Sequence, residues 1–348
     1  GGNPFHHHQD LRRLTSAFRK PELVIINEPF WTATARHADI VFPVTTPLER
    51  NDWGMTRTDQ AIVAMSQAMK PVGQARNDFE VFCGLAKRMG SLETYAEGRN
   101  ESEWLEWFWD RTRTRGQGVG IDLPEFEEAR AAGIIELPTP SNHGQVMYGS
   151  FRSDPDGNPL ATPSGRIELF SEKVASFGYR DCPGHPVWIE PSEWLGAAET
   201  TADELHLISN QPPNRLHSQH DAGAASRATK VAGREPLTMH PVDASQRGLT
   251  NGDLVRVFND RGACLAGLVV ADSIMRGVVQ MPTGGTYDPY DHPELGQLCL
   301  HGNPNVLTRD VGTSSLAQGP SPSTTMVRVE AINVIVPDVR SYTPPIAD

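Results

Sequence analysis

Two short apolar runs near the start of the chain constrain its fold more than any other feature of the sequence. Leu23–Ile26 and Ile40–Val44 are rich in branched side chains. Continuous apolar runs of this length are typical of buried strands in a parallel sheet. A hydroxyl-bearing segment between them, Thr32–His37, is predicted to be helical. Together these segments predict a βαβ step of an α/β domain.

Polar and aromatic residues follow both predicted strands, at the sheet edge where ligands of open α/β sheets bind. Those after the first strand are Asn27, Glu28, Trp31 and Thr32, and those after the second are residues 45–52, which include Asp52. A carboxylate there can accept hydrogen bonds from adjacent N–H donors of guanine, and hydroxyls and backbone N–H groups can meet phosphate. A purely structural strand pair with a capped helix is the alternative, since a bare βαβ step is weak evidence of function.

The composition excludes several classes of partner. A net charge of −12 at pH 7 argues against nucleic acid or an anionic membrane surface, because like charges repel. No apolar run in the 348 residues approaches the length of a membrane span, so we expect a globular protein of two or three domains without membrane insertion. The cysteines lie far apart and form no CxxC pair, so we expect reduced thiols of a cytoplasmic protein and no iron–sulfur or zinc site.

The first ten residues, GGNPFHHHQD, combine two unusual features. A glycine pair followed by asparagine suits close approach of the backbone to a ligand. Three consecutive histidines, His6 to His8, invite a metal interpretation. We do not favour it, because adjacent side chains are expected to diverge and no Asp, Glu or Cys lies at ligand spacing. A remnant of a purification tag is a further alternative.

The next part of the chain predicts one strand and two helices. Thr58–Met69 is predicted to be a strand, and a helix is predicted to begin near Ala75 and to run through Met89. Its N-cap is Asn77 or Asp78, two residue types that both suit this position. A second, aromatic-rich amphipathic helix covers Glu101–Arg113. Its apolar face predicts three core side chains, those of Trp104, Leu105 and Phe108.

From about residue 204 the pattern changes to many short strands separated by turns. The predicted strands are Leu205–Ile208, Leu254–Phe258, Ala263–Val270 and Gly277–Pro282, with a hairpin turn at residues 259–262 and a short helix over Pro241–Arg247. Short strands at close spacing are typical of a small β-barrel, in which closure leaves no open sheet edge. We therefore expect a barrel in the last third of the chain.

Two polar segments of this region are candidates for ligand contact. The first consists of Arg215, Leu216, His217, Ser218 and Gln219, and the second runs from Gly302 to Gly319 and contributes Asn303, Asn305, Asp310 and Gln318. Such groups make directional hydrogen bonds to a polar heterocycle or phosphate without much net positive charge. The alternative is a pair of self-satisfied loops whose Asn and Asp side chains make their own turns.

Several of these segments resemble the molybdopterin oxidoreductases. TATARHADIVFP, with the polar residues that follow it to Asp52, resembles the cofactor-binding third domain of that superfamily, in particular of the S- and N-oxide reductases of the dimethyl sulfoxide reductase type. GGNPFHHHQD resembles the segment that lies along the pterin, and both polar segments of the barrel region resemble parts that cover one guanylyl-pterin. The stretch Ala175–Pro186, with Trp188 and Glu190-Pro191, is similar to biotin sulfoxide reductases.

The resemblance implies a fold class of α/β plus β. Residues 1–95 are expected to form part of a Rossmann-like α/β domain that binds molybdopterin guanine dinucleotide, and residues 96–200 a connecting α+β region that packs on missing upstream domains. Residues 201–335 are expected to form a six-stranded double-psi β-barrel, and residues 336–348 a C-terminal tail. Both domains should turn their polar loops toward one shared cleft.

The resemblance also implies a cofactor, molybdenum bis(molybdopterin guanine dinucleotide), and the residues that contact it. Asp78 is expected to contact a guanine, a role compatible with a position at a helix start. The expected cofactor-binding residues are Gly2, Asn3, His7, Asn27, Glu28, Trp31, Thr32, Asp52, Asp78, Arg215, Leu216, His217, Ser218, Gln219, Asn303, Asn305, Asp310 and Gln318.

No catalytic or molybdenum-binding residue is expected among these residues. In the oxide reductases a serine ligand and an aromatic residue near the substrate oxygen lie well upstream of the GGN segment, so we expect this chain alone to be inactive. The implied reaction removes the oxygen atom of an S-oxide with two electrons and two protons, releasing water and a thioether. The expected partners are the missing amino-terminal part of the polypeptide, a small sulfoxide or N-oxide, and an electron donor of unknown identity.

Three functions are compatible with these observations. The first is that of a cytoplasmic biotin sulfoxide reductase or close relative, acting also on methionine sulfoxide. The second is that of a trimethylamine N-oxide or dimethyl sulfoxide reductase, which would be periplasmic and carry a leader upstream. The third is that of a separate cofactor-binding module without turnover, which predicts an initiator Met near Gly1, whereas a fragment should expose a large apolar face.

Overall fold

The chain forms two compact units that are interleaved in sequence. A computed structural model describes residues 2–56, 58–138 and 146–345, so Gly1 of the glycine pair lies outside the described residues. The barrel unit comprises Gly1–Val24, Trp31–Asp39 and Glu168–Asp348. The inserted unit comprises Ile25–Phe30 and Ile40–Ile167.

Helices and strands of the described residues are numbered in chain order. Helices α1 to α10 are Pro4–His7, Leu11–Phe18, Asp78–Arg88, Leu92–Ala96, Glu101–Gln117, Phe126–Ala132, Gly149–Ser153, Glu172–Ala175, Ala224–Arg227 and Pro241–Gln246. Strands β1 to β13 are Ile25–Asn27, Ile40–Phe42, Asp52–Gly54, Ala61–Met65, Ile134–Glu136, Leu205–Ile208, Pro236–Met239, Leu254–Phe258, Ala263–Val270, Val278–Gln280, Pro289–His292, Gly296–Cys299 and Thr325–Ala331. Short 3₁₀ helices cover Ala35–His37, Pro47–Glu49 and Pro304–Val306.

In the inserted unit, β1 and β2 form the predicted parallel pair, with Ile25 opposite Ile40. The prediction that these strands are buried is wrong, since Ile25 is 45% and Ile40 is 40% exposed. Among the described residues the pair forms a sheet of only two strands. The predicted helix over Thr32–His37 is reduced to the 3₁₀ turn Ala35–His37, which belongs to the barrel unit.

A second sheet of the inserted unit is antiparallel, in the order β3–β4–β5. Asp52, expected in a polar loop, lies in β3 opposite Met65. The strand predicted over Thr58–Met69 is confined to Ala61–Met65. It is shortened because a turn precedes it, in which the Thr56 N–H donates to the Asp59 carboxylate at 2.9 Å.

The long helix α5 packs on this sheet through one tryptophan. Trp109 is 1% exposed, and its ring stacks on that of Trp53 with centroids 4.3 Å apart. The prediction that Phe108 lies in the core is wrong, because its side chain is 54% exposed. Trp104 and Leu105 are half-buried. The buried face of α5 is therefore shifted from the predicted face by about one residue, so that Trp109 takes the core position predicted for Phe108.

The barrel unit contains a closed ring of six strands, in the order β9–β7–β10–β6–β13–β8. The ring closes because β8 also pairs antiparallel with β9, through the hairpin turn in which Asn259 N–H donates to the Gly262 carbonyl at 3.0 Å. This confirms the predicted barrel and its hairpin. The hairpin β11–β12 extends the sheet from β9.

The two amino-terminal helices of the barrel unit are part of its core. Phe5 of α1 and Leu11 of α2 are both fully buried in the same apolar cluster as barrel residues such as Leu207 and Val257. Burial of a side chain of this size stabilises the fold by about 1.5–3 kcal/mol. The GGN segment is therefore fixed to the barrel.

The C-terminal tail lies against the barrel unit rather than free of it. The guanidinium of Arg234 donates to the carbonyl of Pro337 at 2.7 Å, and Arg340 forms a salt bridge with the buried Asp288 at 2.9 Å. Arg36, from the 3₁₀ turn, donates to the carbonyl of Ser341 at 3.3 Å. These contacts hold the tail as a strap across the barrel unit.

No helix in the described part of the chain is both long and apolar enough to cross a bilayer.

Candidate functional site

In the barrel unit, the GGN segment meets the Arg215–Gln219 turn. The Asn3 amide nitrogen donates to the Ser218 hydroxyl at 3.3 Å, and the Asn3 oxygen accepts a hydrogen bond from the hydroxyl of Thr34. Gly2 is exposed, and a Cβ added there would meet no atom within 4 Å. Two segments that are more than 200 residues apart in sequence thus present polar groups at one place.

Three histidine rings converge beside this contact. The centroid of His6 lies 4.7 Å from that of His7, and both lie 5.3 Å from that of His217. The expectation that adjacent histidines diverge is therefore wrong for His6 and His7. It fails because the turn that carries His217 lies against both rings.

His6 is held neutral at physiological pH. Its side chain is 4% exposed, and burial together with the nearby His7 and His217 lowers its pKa to about 3. Its buried Nδ1 has no hydrogen-bond partner among the described residues. Such an orphaned buried nitrogen calls for an explanation, and an absent ligand is one.

Arg215 holds the turn from beneath instead of facing solvent. Its side chain is 2% exposed, and its Nε donates to the carbonyl of His217 at 3.0 Å. Its Nη2 donates to Glu235 at 2.6 Å and to the carbonyl of Thr283 at 3.1 Å. His217 adopts a positive φ of 51°, which Arg215 helps to stabilise. Leu216 and Gln219 are exposed at the surface of the same turn.

A buried network of charges supports Arg215, and sequence reasoning missed it. The charge network consists of Arg215, Asp221, Lys230, Glu235 and His301, with Tyr342 of the tail at its edge. Asp221 accepts from Lys230 and from His301, each at 2.7 Å. Burial would raise the pKa of Asp221, but His301 and Lys230 outweigh it and hold that pKa well below its usual range. No sequence signal marks these residues, because they are scattered over more than 100 positions.

The side chains of the second polar segment bind other residues of the protein. Asn303 donates to the Phe5 carbonyl at 3.3 Å and Asn305 donates to the His6 carbonyl at 2.7 Å, so both amides hold α1. Asp310 forms an exposed ion pair with Arg13 at 2.8 Å. Gln318 donates to the Ser314 carbonyl at 3.0 Å. In this structure these side chains fit the alternative of self-satisfied loops, with the difference that the two asparagines bind a distant segment.

Trp31 and Thr32 lie in the barrel unit, after the first predicted strand. Trp31 is 44% exposed, and its carbonyl accepts from Arg36 at 3.3 Å. The Thr32 hydroxyl accepts from the Ala35 N–H at 3.2 Å and starts the 3₁₀ turn. The ring of Trp31 is therefore available as a flat apolar surface.

In the inserted unit, Asn27 and Asp78 come together. The Asn27 amide donates to Oδ1 of Asp78 at 3.0 Å. Asn77 is the N-cap of α3 and donates its N–H to Glu80, so Asp78 is the first helical residue. A carboxylate at this position is favoured by the partial positive charge of the helix start. The other oxygen, Oδ2, accepts no hydrogen bond from the described residues.

Glu28 and Asp52 complete the predicted set in this unit. The Glu28 N–H donates to the carbonyl of Phe42 at 3.1 Å, which continues the ladder of the parallel pair. Asp52 forms a salt bridge with Arg50 at 3.3 Å and accepts from the Trp53 N–H at 2.9 Å. Asp52 is thus engaged locally in β3.

Comparison with protein families covers both units. The family described as Molybdopterin oxidoreductase matches residues 1–88, and the family described as Molydopterin dinucleotide binding domain matches residues 205–326. The first match includes Asn27 and Asp78, and the second includes the Arg215–Gln219 turn. Each group of polar residues therefore falls in a region that matches one of these two families.

Curated proteins of high similarity extend the match over nearly all of the chain. A biotin sulfoxide reductase of Cereibacter sphaeroides is 46% identical over 95% of this chain and 44% of its own length. A dimethyl sulfoxide/trimethylamine N-oxide reductase of the same organism is 44% identical over 95% of this chain and 40% of its own length. A trimethylamine-N-oxide reductase of Haemophilus influenzae is 43% identical over 99% of this chain and 42% of its own length. The chain thus spans less than half the length of these relatives.

A solved structure supports the fold. The acetylene hydratase of Pelobacter acetylenicus superimposes on 95% of this chain and 43% of its own, with a TM-score of 0.70 at 21% identity. At that identity the likeness concerns the fold alone. The family matches and the relatives, taken together, show that this chain belongs to the molybdopterin oxidoreductases, in the dimethyl sulfoxide reductase family.

Proposed function

We propose that this chain binds molybdenum bis(molybdopterin guanine dinucleotide) as part of an S-/N-oxide reductase. The observation that carries the proposal is the 46% identity with a biotin sulfoxide reductase over 95% of the chain. Biotin sulfoxide or methionine sulfoxide is the substrate we favour. The reaction would convert a sulfoxide, two protons and two electrons into a thioether and water.

The residues around the GGN segment fit the pterin part of such a cofactor. The buried Nδ1 of His6 lacks a partner among the described residues, and the Ser218 hydroxyl and the His7 and His217 rings lie beside it. Pterins carry several N–H donors and ring-nitrogen acceptors, which neutral imidazoles, amides and hydroxyls can satisfy. When bound, the cofactor would supply the two-electron chemistry, and these side chains would orient it and exclude water.

The Asn27–Asp78 pair fits a guanine. Asn27 holds one carboxylate oxygen of Asp78 at 3.0 Å, so the side chain is oriented while the second oxygen stays open to a ligand. A carboxylate can accept from the adjacent N–H donors of a guanine edge. We assign Asp78 to guanine recognition and Asn27 to its positioning, and we retain Glu28, Trp31 and Thr32 as further contacts.

Finer features of the fold belong to the same proposal. We propose that the six-stranded ring has double-psi topology, and that β1 and β2 belong to a Rossmann-like sheet. We further propose that the molybdenum ligand lies outside these 348 residues, as the resemblance to the oxide reductases implies. The chain alone should then bind cofactor without turnover.

The substrate is tested on the natural polypeptide that carries this chain. Reduced viologen serves as electron donor, and kcat/KM is compared for biotin sulfoxide, methionine sulfoxide, dimethyl sulfoxide and trimethylamine N-oxide. The highest value for biotin or methionine sulfoxide supports the proposal. The highest value for trimethylamine N-oxide or dimethyl sulfoxide favours the alternative, to which relatives at 43% and 44% identity point. Cofactor binding without turnover of any of them would indicate a separate binding module.

Guanine recognition is tested by Asp78→Asn in the same polypeptide. The amide replaces one acceptor with a donor that opposes the guanine N–H groups, and loss of a charge-assisted hydrogen bond costs about 1.5–3 kcal/mol. We expect lower guanine nucleotide and molybdenum content per polypeptide. Asp122→Asn, at an exposed position of the same unit, is the matched control. Equal contents in both variants would contradict the assignment.

The compartment is part of the proposal as well. We favour the cytoplasm, because Cys83, Cys182, Cys264 and Cys299 are all free thiols, and such thiols persist in reducing compartments. Fractionation of the native cell tests this, and recovery of the polypeptide in the periplasm would favour the respiratory alternative.

A further inference from the structure

We propose that the C-terminal tail, residues 337–343, positions two cofactor-facing segments of the barrel unit, through Tyr342 for the first and Arg36 for the second. The inference rests on the proposed function, which assigns both segments to the cofactor. The first is the Arg215–Gln219 turn, and the second begins at Trp31 and continues into the 3₁₀ turn. Neither Tyr342 nor Arg36 is itself assigned to the cofactor, so both are positioning residues.

Tyr342 connects the tail to the charge network. Its hydroxyl lies 3.1 Å from Nε2 of His301, and the two rings meet edge to face with centroids 5.1 Å apart. The guanidinium of Arg227 lies over the Tyr342 ring, 5.2 Å from its centroid. His301 is fully buried, and the same Nε2 lies 2.7 Å from the Asp221 carboxylate. Tyr342 therefore contacts the ring nitrogen through which His301 binds the network.

Asp221 continues this connection to the turn itself. Its carboxylate accepts a hydrogen bond from the Ser226 hydroxyl at 3.1 Å, and that hydroxyl accepts one from Nη1 of Arg215, also at 3.1 Å. Arg215 in turn donates to the His217 carbonyl at 3.0 Å. An unbroken series of hydrogen bonds thus joins the tail to the backbone of the turn. Because the linking side chains are buried, water cannot easily replace a partner that shifts.

Arg36 connects the tail to the second segment. Its Nη2 donates to the carbonyl of Ser341 at 3.3 Å and to that of Thr343, on either side of Tyr342 in the sequence. Its Nε donates to the carbonyl of Trp31 at 3.3 Å. One guanidinium therefore bridges the tail and a segment that the proposed function gives to the cofactor.

Asp288 attaches the tail to the barrel independently of both segments. This carboxylate is 4% exposed, accepts from the Ser341 N–H at 3.1 Å and pairs with Arg340 at 2.9 Å. It directly precedes β11, so the attachment point belongs to the sheet. A tail fixed at this point can hold both segments in one arrangement. Supporting contacts of this kind decide how precisely ligand-binding groups are placed.

The test uses the natural polypeptide that carries this chain. Tyr342→Phe removes only the hydroxyl that lies against the network. Tyr290→Phe is the matched control, because Tyr290 lies in β11 with its ring 5.5 Å from the Arg340 guanidinium, and its hydroxyl has no hydrogen bond to a described residue. Arg36→Gln loosens the tail from its other side. Among the described residues Arg36 makes no hydrogen bond to the Arg215–Gln219 turn, so any effect on that turn must pass through the tail.

Two readouts separate positioning from general stability. Hydrogen exchange, measured with and without the cofactor, follows the amides of Gln219 and Asp221, which donate to the carbonyls of Leu216 at 3.0 Å and Ser218 at 3.3 Å. The amides of β8 and β9 report on the barrel in the same samples. The second readout is the rate at which the polypeptide releases pterin and molybdenum.

We expect Tyr342→Phe and Arg36→Gln to speed both the exchange of the two turn amides and the release of cofactor by about two- to tenfold, the effect of one lost hydrogen bond. Exchange in β8 and β9 should not change, and Tyr290→Phe should match the wild type. The proposal is overturned if either variant leaves the turn amides or the release rate unchanged, or if β8 and β9 accelerate as much as the turn. A wild type without pterin or molybdenum would refute the proposed function, whereas the exchange rates would still decide whether the tail positions the turn.

Discussion

Replacement of Glu235 by Gln should unbalance the charge network and destabilise the barrel unit. In the wild type two buried cations, Arg215 and Lys230, face two buried carboxylates, Asp221 and Glu235, so the formal charges of these four groups cancel. With Gln at position 235 the site carries one uncompensated positive charge at side chains that are 4% exposed or less. Removing one partner of a buried pair typically costs 3–5 kcal/mol, so we expect a loss of about that size.

Hydrogen exchange measures this loss where it occurs. Because the chain has two units, a single unfolding curve would mix them, whereas the amides of β8 and β9 report on the barrel alone. The matched control is Glu330→Gln, which breaks an exposed pair with Arg256 in the same barrel. Such surface pairs are worth about 0–1 kcal/mol.

A second substitution separates charge imbalance from general damage. Lys230→Met combined with Glu235→Gln restores neutrality, so the double variant should be less destabilised than the sum of the two single variants. If Glu235→Gln lowers the barrel's opening free energy no more than Glu330→Gln does, the network is not a buried, balanced system. Strict additivity in the double variant would lead to the same conclusion.

Two further predictions concern the barrel unit and α3. His6 has a folded pKa of about 3 and an ordinary pKa of 6.5, so its contribution to stability is fully present above pH 6.5 and is lost as the pH falls toward 3. The loss by pH 4.5 is about 2–3 kcal/mol, and hydrogen exchange of the β8 and β9 amides should show that His6→Gln flattens this pH dependence. An equal slope in wild type and variant would contradict the assigned burial. Gly267→Ala should lower the stability of the barrel unit by about 1–3 kcal/mol, because its Cβ would lie 2.1 Å from the Val231 carbonyl oxygen. Gly84→Ala in α3 should be neutral or stabilising, because its Cβ would meet only the Arg88 side chain, at 3.7 Å. Hydrogen exchange of the amides in β9 and in α3, each compared with the wild type, distinguishes the two glycines, and equal changes would refute the steric reasoning.

Hydrophobic patterns were sufficient to predict pairing and closure but not burial. The runs that became β1 and β2 are apolar enough to form a parallel pair, yet Ile25 and Ile40 remain largely exposed. A hydrophobic pattern shows which side chains can be buried. Whether they are buried depends on whether another helix or sheet packs on that face. In the barrel, strand alternation and closure agree because every strand has two neighbours.

The phase of α5 could have been read from one glycine. Gly116 has no room for a Cβ, which would lie 2.9 Å from the carbonyl oxygen of Ile121. A glycine inside a helix is costly and usually marks such a close approach. Counting back from Gly116 by helical steps of seven and eleven residues places Trp109 and Leu105 on the core side and leaves Phe108 exposed.

Polar loop residues could be recognised in the sequence, but their partners within the protein could not. Asn303 and Asn305 were identified as polar loop residues, whereas their amides bind carbonyls of α1 that lie 298 and 299 positions away in sequence. The choice between Asn77 and Asp78 as N-cap could not be made from residue type, since both suit it. The structure resolves it, because Asn77 has the extended backbone of an N-cap and Asp78 is the first residue of α3.

The interleaved chain also has a consequence for biosynthesis. Phe5 and Leu11 complete a core whose other members begin at Leu205, and Asn303 reaches back across 298 positions to the Phe5 carbonyl. At about 5–20 residues per second, a ribosome needs about 15–60 s to deliver that asparagine after the phenylalanine. During this interval α1 and α2 lack the barrel core that they later join, while residues 40–167 can already collapse. We therefore expect α1 and α2 to remain accessible to chaperones until translation has passed the last barrel strand.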